Sequence, residues 1–291
     1  MCDDLAFDDM IEHNLRRGGV SRRELGSMAL GAGIVFALPR VAGAMETTES
    51  EVEIRTPDGT TDAYFVHPSA GRHAAVLVWP DIFGLRPAFR QMGKRLAESG
   101  YTVLVVNPFY RTKKAPTAPE KANFDDPETR KALMALAGTL SPKTAETDAQ
   151  AFLGWLDQQS ATDTKRKAGT TGYCMSGRIA FATAAALPDR VGAVASFHGG
   201  GLATDKPESP HLLIPKTKAN FLVAIAKNDD QKEPKTKDIL RDAFAKAGRS
   251  AEVEVYPALH GWCPPDSAVY DATQAEKAWA RMMELFKVSL A

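Results

Sequence analysis

The chain has 291 residues, 44% of them hydrophobic and 25% charged, with 36 lysines and arginines set against 36 aspartates and glutamates. This is the make-up of an ordinary globular protein with enough apolar mass to bury one sizeable core. Beyond the short Arg111-Thr112-Lys113-Lys114 stretch no dense basic run occurs, which leaves no electrostatic footprint for nucleic acid and makes a small molecule the expected partner.

Residues 1–44 read as an export signal of the twin-arginine type. Ser21-Arg22-Arg23-Glu24-Leu25 precedes an apolar, charge-free run from Met28 to Pro39, and Ala42-Gly43-Ala44 supplies small residues for cleavage. The run holds about a dozen residues where a spanning helix needs roughly 20, so a removable signal is expected rather than a membrane anchor. The expected mature protein is a single domain, residues 45–291, in the periplasm and not inserted in the membrane. Of the three cysteines, Cys2 would leave with the signal, and Cys174 and Cys263 are too few to form a disulfide framework.

The domain opens with a hairpin, Glu51–Arg55 and Thr61–Val66 around the Pro57-Asp58-Gly59 turn. Ala74–Trp79 and Tyr101–Val106 are unbroken apolar runs, as expected of strands covered on both faces, with a helix over Pro87–Ser99 between them. A polar loop from Arg111 to Asp126 and a helical stretch from Pro127 to Leu140 interrupt the rhythm, as excursions that cover a site often do. Then follow a helix over Thr147–Gln159, a strand over Ala168–Tyr173 and an alanine-rich helix over Met175–Leu187. Strands over Val191–Phe197, Phe221–Ala226 and Ala251–Tyr256 and helices over Lys235–Ala247 and Ala272–Val288 complete the chain. Alternating strands and helices predict an α/β fold, a mostly parallel sheet with helices on both faces and ligands at the carboxyl ends of its strands.

Gly172-Tyr173-Cys174-Met175-Ser176-Gly177 joins a strand to a helix with a reactive atom at its centre. A nucleophile here projects from a tight turn, which requires small residues two positions before and after it, and Gly172 and Ser176 qualify. The following helix start lowers the thiol pKa, and the Met175 N–H is placed to hold an oxyanion. A buried free cysteine is equally an ordinary small apolar residue. The decision rests on partners.

In the order nucleophile, acid, base, an acid should follow one later strand and a histidine the next. Asp229 and Asp230 follow Phe221–Ala226, and His260 follows Ala251–Tyr256. The acid would hold the imidazole tautomer and stabilise the imidazolium. His13, His67, His73 and His211 sit in the leader, at the opening of the domain or in a polar loop. His198 ends a strand but precedes the acid, so a structural role is expected for it.

Together these residues resemble the dienelactone hydrolase family, of the α/β-hydrolase fold. The motifs are Asp81-Ile82-Phe83-Gly84, Asn107-Pro108-Phe109-Tyr110-Arg111, the Cys174 turn, Asp230 four residues before Pro234, and His260-Gly261-Trp262. The resemblance implies a Cys174, His260 and Asp230 triad, the spacing to Pro234 selecting Asp230 over Asp229. It implies an oxyanion hole completed by the Ile82 N–H, and an acid touching the resting thiol, here Asp81 in place of the family's glutamate. Arg111 is the nearest candidate to bind a substrate carboxylate, and Phe83, Tyr110, Tyr173 and Trp262 are candidates to line an apolar pocket. The implied reaction is hydrolysis of an enol-lactone or similar activated ester through an acyl-thioester, with no metal or organic cofactor.

Two other readings compete: a carboxylesterase for neutral esters, and a periplasmic binding or redox protein with a reversible Cys174–Cys263 disulfide. A metal site from Cys174, His260 and Cys263 is poorer, because a fourth ligand is absent.

Overall fold

A computed structural model describes residues 38–119 and 122–291. The twin-arginine motif and most of the apolar run of the expected leader lie outside the described residues. Strands β1 (Thr47–Thr56) and β2 (Gly59–Pro68) form the opening hairpin, β2 pairs antiparallel with β4 (Thr102–Val106), and β3 (Ala75–Trp79) begins the parallel part. With β5 (Ala168–Tyr173), β6 (Val191–Phe197), β7 (Asn220–Ala226) and β8 (Ala251–Tyr256) they make one eight-stranded sheet in the order β1-β2-β4-β3-β5-β6-β7-β8. All pairs from β4 through β8 are parallel.

Both faces of the sheet are covered, and the central strands divide between them with the period of two that a pleated strand imposes. On β7, Phe221, Val223 and Ile225 join the core beneath α3 (Pro142–Asp157), α4 (Gly177–Ala186) and α6 (Thr236–Ala247), while Leu222, Ala224 and Ala226 join the opposite core under α1 (Pro87–Glu98) and α7 (Ala272–Ser289). β3 and β4 split in the same way, which is why their sequences are apolar without alternation. Leu38 packs on the second core, so the end of the expected leader touches the α1 and α7 side. Among the described residues no helix is long and apolar enough to cross a membrane.

The remaining elements are α2 (Pro127–Ala137), inside the excursion after β4, and α5 (Lys227–Lys232), directly after β7. Helix α3 starts at Pro142, five residues before the expected Thr147. Ser141 caps it, its hydroxyl accepting the Thr144 N–H while the Thr144 hydroxyl accepts the Ser141 N–H. No element is expected between Ala226 and Lys235; the short helix there changes the assignment of the acid.

Candidate active site

At the carboxyl end of β5 the chain makes a 3-10 turn over Cys174–Ser176 before α4, and Cys174 takes φ 55°, a left-handed conformation that costs a side-chain-bearing residue energy. The turn is as tight as its small residues permit. A Cβ on Gly172 would stand 2.1 Å from the Ser176 carbonyl oxygen, and the Ser176 hydroxyl donates to the Pro80 carbonyl at 2.5 Å, tying the turn to the end of β3. Cys174 is 3% exposed and shares an apolar cluster with Ile82, Met175, Phe109, Phe124, Leu133, Leu136 and Val269, with Phe83 and Leu259 packed at its edge. Ile82 and Met175, the expected oxyanion donors, therefore flank the sulfur-bearing residue within one cluster.

The base comes from the loop after β8. His260 is buried, its main-chain N–H donates to Asn228 Oδ1 at 2.9 Å, and its Nδ1 meets Asp229 Oδ2 at 2.7 Å. The expected Asp230 does not reach it; its carboxylate pairs with Lys237 Nζ at 2.6 Å. The reason is the helix. Consecutive residues of an α-helix point about 100° apart, so when α5 turns Asp229 toward His260 it turns Asp230 toward α6. Asn228, which the sequence did not flag, fixes the main chain beside the imidazole from the same segment.

A second histidine stands beside the first. His198, at φ 42° just past β6, accepts the Cys174 main-chain N–H on Nδ1 at 3.1 Å, and its ring lies edge-to-face with that of His260, centroids 5.0 Å apart. Burial, reinforced by nearby His260, holds its pKa well below the usual histidine value, so the ring is neutral. Trp262 packs edge-on against His198 at 5.1 Å and stacks on Tyr256 at 5.3 Å, and Tyr173 stacks on Phe197 at 5.0 Å. Trp262 and Tyr173 belong to the core on the α1 and α7 side and not to the Cys174 cluster, so they back the histidines instead of lining the apolar pocket as expected.

Two more expectations are corrected. Arg111 is fully engaged: its guanidinium donates to both Asp148 oxygens at 2.7 and 2.8 Å and to Asp58 Oδ2 at 2.6 and 3.0 Å. Tyr110 donates to Asp148 at 2.7 Å, and its ring lies against Phe152 of α3 in the core on the α3 and α4 side. Asp148 has only 2% of its side chain exposed and needs this compensation, which draws both residues away from the Cys174 cluster. Phe109, one position earlier, faces that cluster instead.

Asp81 is also committed elsewhere. Its two oxygens accept a fork from Arg86 at 2.6 and 2.9 Å, and Oδ1 takes the Phe83 N–H at 2.9 Å. Arg86 in turn reaches Asp266 at 2.7 and 3.0 Å and lies over the Phe83 and Phe89 rings. A charged bridge thus joins the loop carrying Ile82 to the loop following His260. No local pattern marks it, because its members are five and 180 positions apart.

Cys174 and Cys263 are not disulfide-bonded and are buried in different clusters, and burial pushes the Cys263 thiol well above its usual pKa. Among the described residues no group of three or more His, Cys, Asp or Glu side chains is arranged to hold a metal ion.

The model of the dienelactone hydrolase family matches residues 61–290. The chain belongs to this family. A candidate carboxymethylenebutenolidase from Methylorubrum extorquens is 27% identical over 300 aligned positions, 97% of this chain and 98% of the relative. The carboxymethylenebutenolidase of Rhodococcus opacus is 27% identical over 241, covering 80% and 88%. A crystal structure described as a dienelactone hydrolase from Klebsiella pneumoniae superposes with TM-score 0.70 at 24% identity, over 83% of this chain and 98% of that one, and shows the same fold. The dienelactone hydrolase-like protein is accordingly a hydrolase with an α/β sheet whose strand ends carry Cys174, the acids and His260.

Proposed function

We propose that this hydrolase opens activated esters or lactones, enol-lactones of the dienelactone type among them, with Cys174 as nucleophile, His260 as base and Asp229 as the residue that orients the base. The observation that carries this reading is the 2.7 Å contact between Asp229 and His260 Nδ1, on a ring packed against the histidine that holds the Cys174 main chain. With Nδ1 engaged by a carboxylate, Nε2 is the nitrogen left to exchange a proton with the thiol.

In the proposed cycle Nε2 takes the thiol proton, the sulfur attacks the acyl carbon, and the Ile82 and Met175 N–H groups hold the tetrahedral oxyanion. The carbon to leaving-oxygen bond then breaks. The leaving enolate takes the proton back from the imidazolium, and His260 next removes a proton from water, whose oxygen adds to the thioester. The carbon–sulfur bond breaks and the carboxylate product leaves with the thiol restored. A good leaving group is needed for the first half, which favours enol and aryl esters over amides. Both relatives' names point to a carboxymethylenebutenolide substrate.

One observation favours the alternative of neutral esters. Arg111, the expected anchor for a substrate carboxylate, is spent on Asp58 and Asp148, and the cluster around Cys174 is built from phenylalanine, leucine and valine side chains. A panel of enol-lactones with and without a carboxylate, assayed with wild type and Cys174→Ala, separates the two. Activity confined to the carboxylate-bearing members supports the dienelactone assignment, equal or better turnover of neutral ones supports the carboxylesterase, and full activity in Cys174→Ala refutes both.

The twin-arginine pattern supports export to the periplasm and removal of residues 1–44. An Arg22→Lys, Arg23→Lys variant should stay in the cytoplasm, and the exported wild type should begin at Met45; an unchanged distribution between compartments refutes the assignment.

A further inference from the structure

Two described residues other than glycine have positive φ, Cys174 at 55° and His198 at 42°, and they are hydrogen-bonded to each other. Each conformation is strained for a residue that carries a side chain and persists only where the surroundings over-determine it. Here they do. The His198 main-chain N–H donates to Ala224 of β7 at 2.8 Å, which anchors the residue at the strand end. On the other side α4 approaches the same turn so closely that a Cβ on Gly177 would stand 2.4 Å from Ser196 Oγ and 2.8 Å from Gly199 Cα. The turn after β6 is thereby pressed against the nucleophile turn, and the His198 ring contacts the Cys174 main chain and the rings of His260 and Trp262.

Accepting a main-chain N–H on Nδ1 leaves His198 in one form, the neutral tautomer with its proton on Nε2. A charged ring would set a donor against the Cys174 donor. His198 Nε2 is fully buried with no hydrogen-bond partner, so this side chain carries an unsatisfied N–H of the kind folded proteins seldom keep without a reason. A phenylalanine or leucine would fill the same space without that cost. What such a residue lacks is the acceptor for the Cys174 amide.

We propose that His198 is a positioning residue of the nucleophile: its Nδ1 fixes the strained Cys174 turn, and its neutral ring is the wall against which His260 is aimed at the sulfur. This rests on Cys174 and His260 being nucleophile and base. His198 takes no proton in the cycle. It acts through the geometry of the two residues that do, so its removal should lower kcat and leave KM nearly unchanged.

The test uses the full chain and an aryl acetate as substrate, with His198→Phe, which keeps an aromatic ring and removes the acceptor, and His198→Asn, which keeps an acceptor at about the reach of Nδ1. His198→Phe should lose about 100-fold in kcat, as an ångström-scale misplacement does, with KM within about twofold. His198→Asn should recover at least about tenfold of that loss. Should His198→Phe fail to fold, His198→Ala replaces it, and the same recovery by asparagine over alanine is expected. Equal kcat in the paired variants, or a loss confined to KM, overturns the proposal. A Cys174→Ala arm keeps the two readings apart. If that variant stays active the nucleophile assignment fails, whereas an inactive Cys174→Ala beside a fully active His198→Phe removes only the role of His198.

Discussion

Cys174 and Cys263 look alike at first: neither is in a disulfide, both are buried, 3% and 7% exposed, and each follows a strand, β5 directly and β8 by seven residues. Their surroundings differ. Cys263 lies on the α1 and α7 side with Tyr173, Phe197, Met92 and Met282 around a cavity of about 20 Å³, room for about one water, and burial keeps its thiol protonated. Cys174 sits on a strained turn at the head of α4, its amide held by one histidine whose ring touches the next, and the next is oriented by a carboxylate. Burial alone makes an inert sulfur. Reactivity needs a built neighbourhood. The adjacent acids Asp229 and Asp230 repeat the lesson, one aimed at His260 and the other at Lys237.

Substitution should separate the two cysteines by the widest margin. Cys174→Ala should lower ester hydrolysis by at least about 10³-fold, while Cys263→Ser stays within about threefold in steady-state assays. A comparable loss in both would make the contrast of their surroundings irrelevant to the chemistry. Next come the acids. Asp229→Asn should cost about 10³-fold in kcat by releasing the His260 tautomer, against less than about fivefold for Asp230→Asn. The reverse order would restore the assignment suggested by the spacing to Pro234.

Labelling with iodoacetamide sharpens the cysteine pair by mass spectrometry. Near neutral pH native protein beginning at Met45, which lacks Cys2, should take one label, on Cys174, and a second only after denaturation, because a thiol with a raised pKa has almost no thiolate to react. Arg111→Ala should lower stability by about 3 kcal/mol in urea unfolding, since it strands the buried Asp148, with kcat/KM on neutral esters within about threefold. A large activity loss with unchanged stability would return Arg111 to the substrate.

The smallest effect concerns His198. His198 has a depressed pKa in the folded protein, so the unfolded chain binds the proton that the native one refuses. Its contribution is fully present above the unfolded value of about 6.5 and is lost as pH falls from there toward the native pKa. The drop in melting temperature between pH 7.5 and 5.5 should therefore be smaller in His198→Asn than in wild type. An equal drop would mean that His198 titrates normally.

Legible in the residues alone were the strands and their order, the longer helices, the mostly parallel sheet, and the presence of a nucleophile turn and a strand-following histidine. These are legible because strand burial, tight turns and chain order leave local marks: apolar runs, Gly172 two residues before the sulfur, a histidine after the last strand. The tertiary structure decided the partners. Whether Asp229 or Asp230 meets His260 depends on the twist of α5, and whether Arg111 faces substrate or Asp148 depends on where α3 packs. Arg86 bridges Asp81 to Asp266, and the His198 ring reaches the Cys174 amide, only because distant turns are pressed together. Side-chain direction at such places is set by contacts between elements far apart in the chain, and no local pattern encodes it.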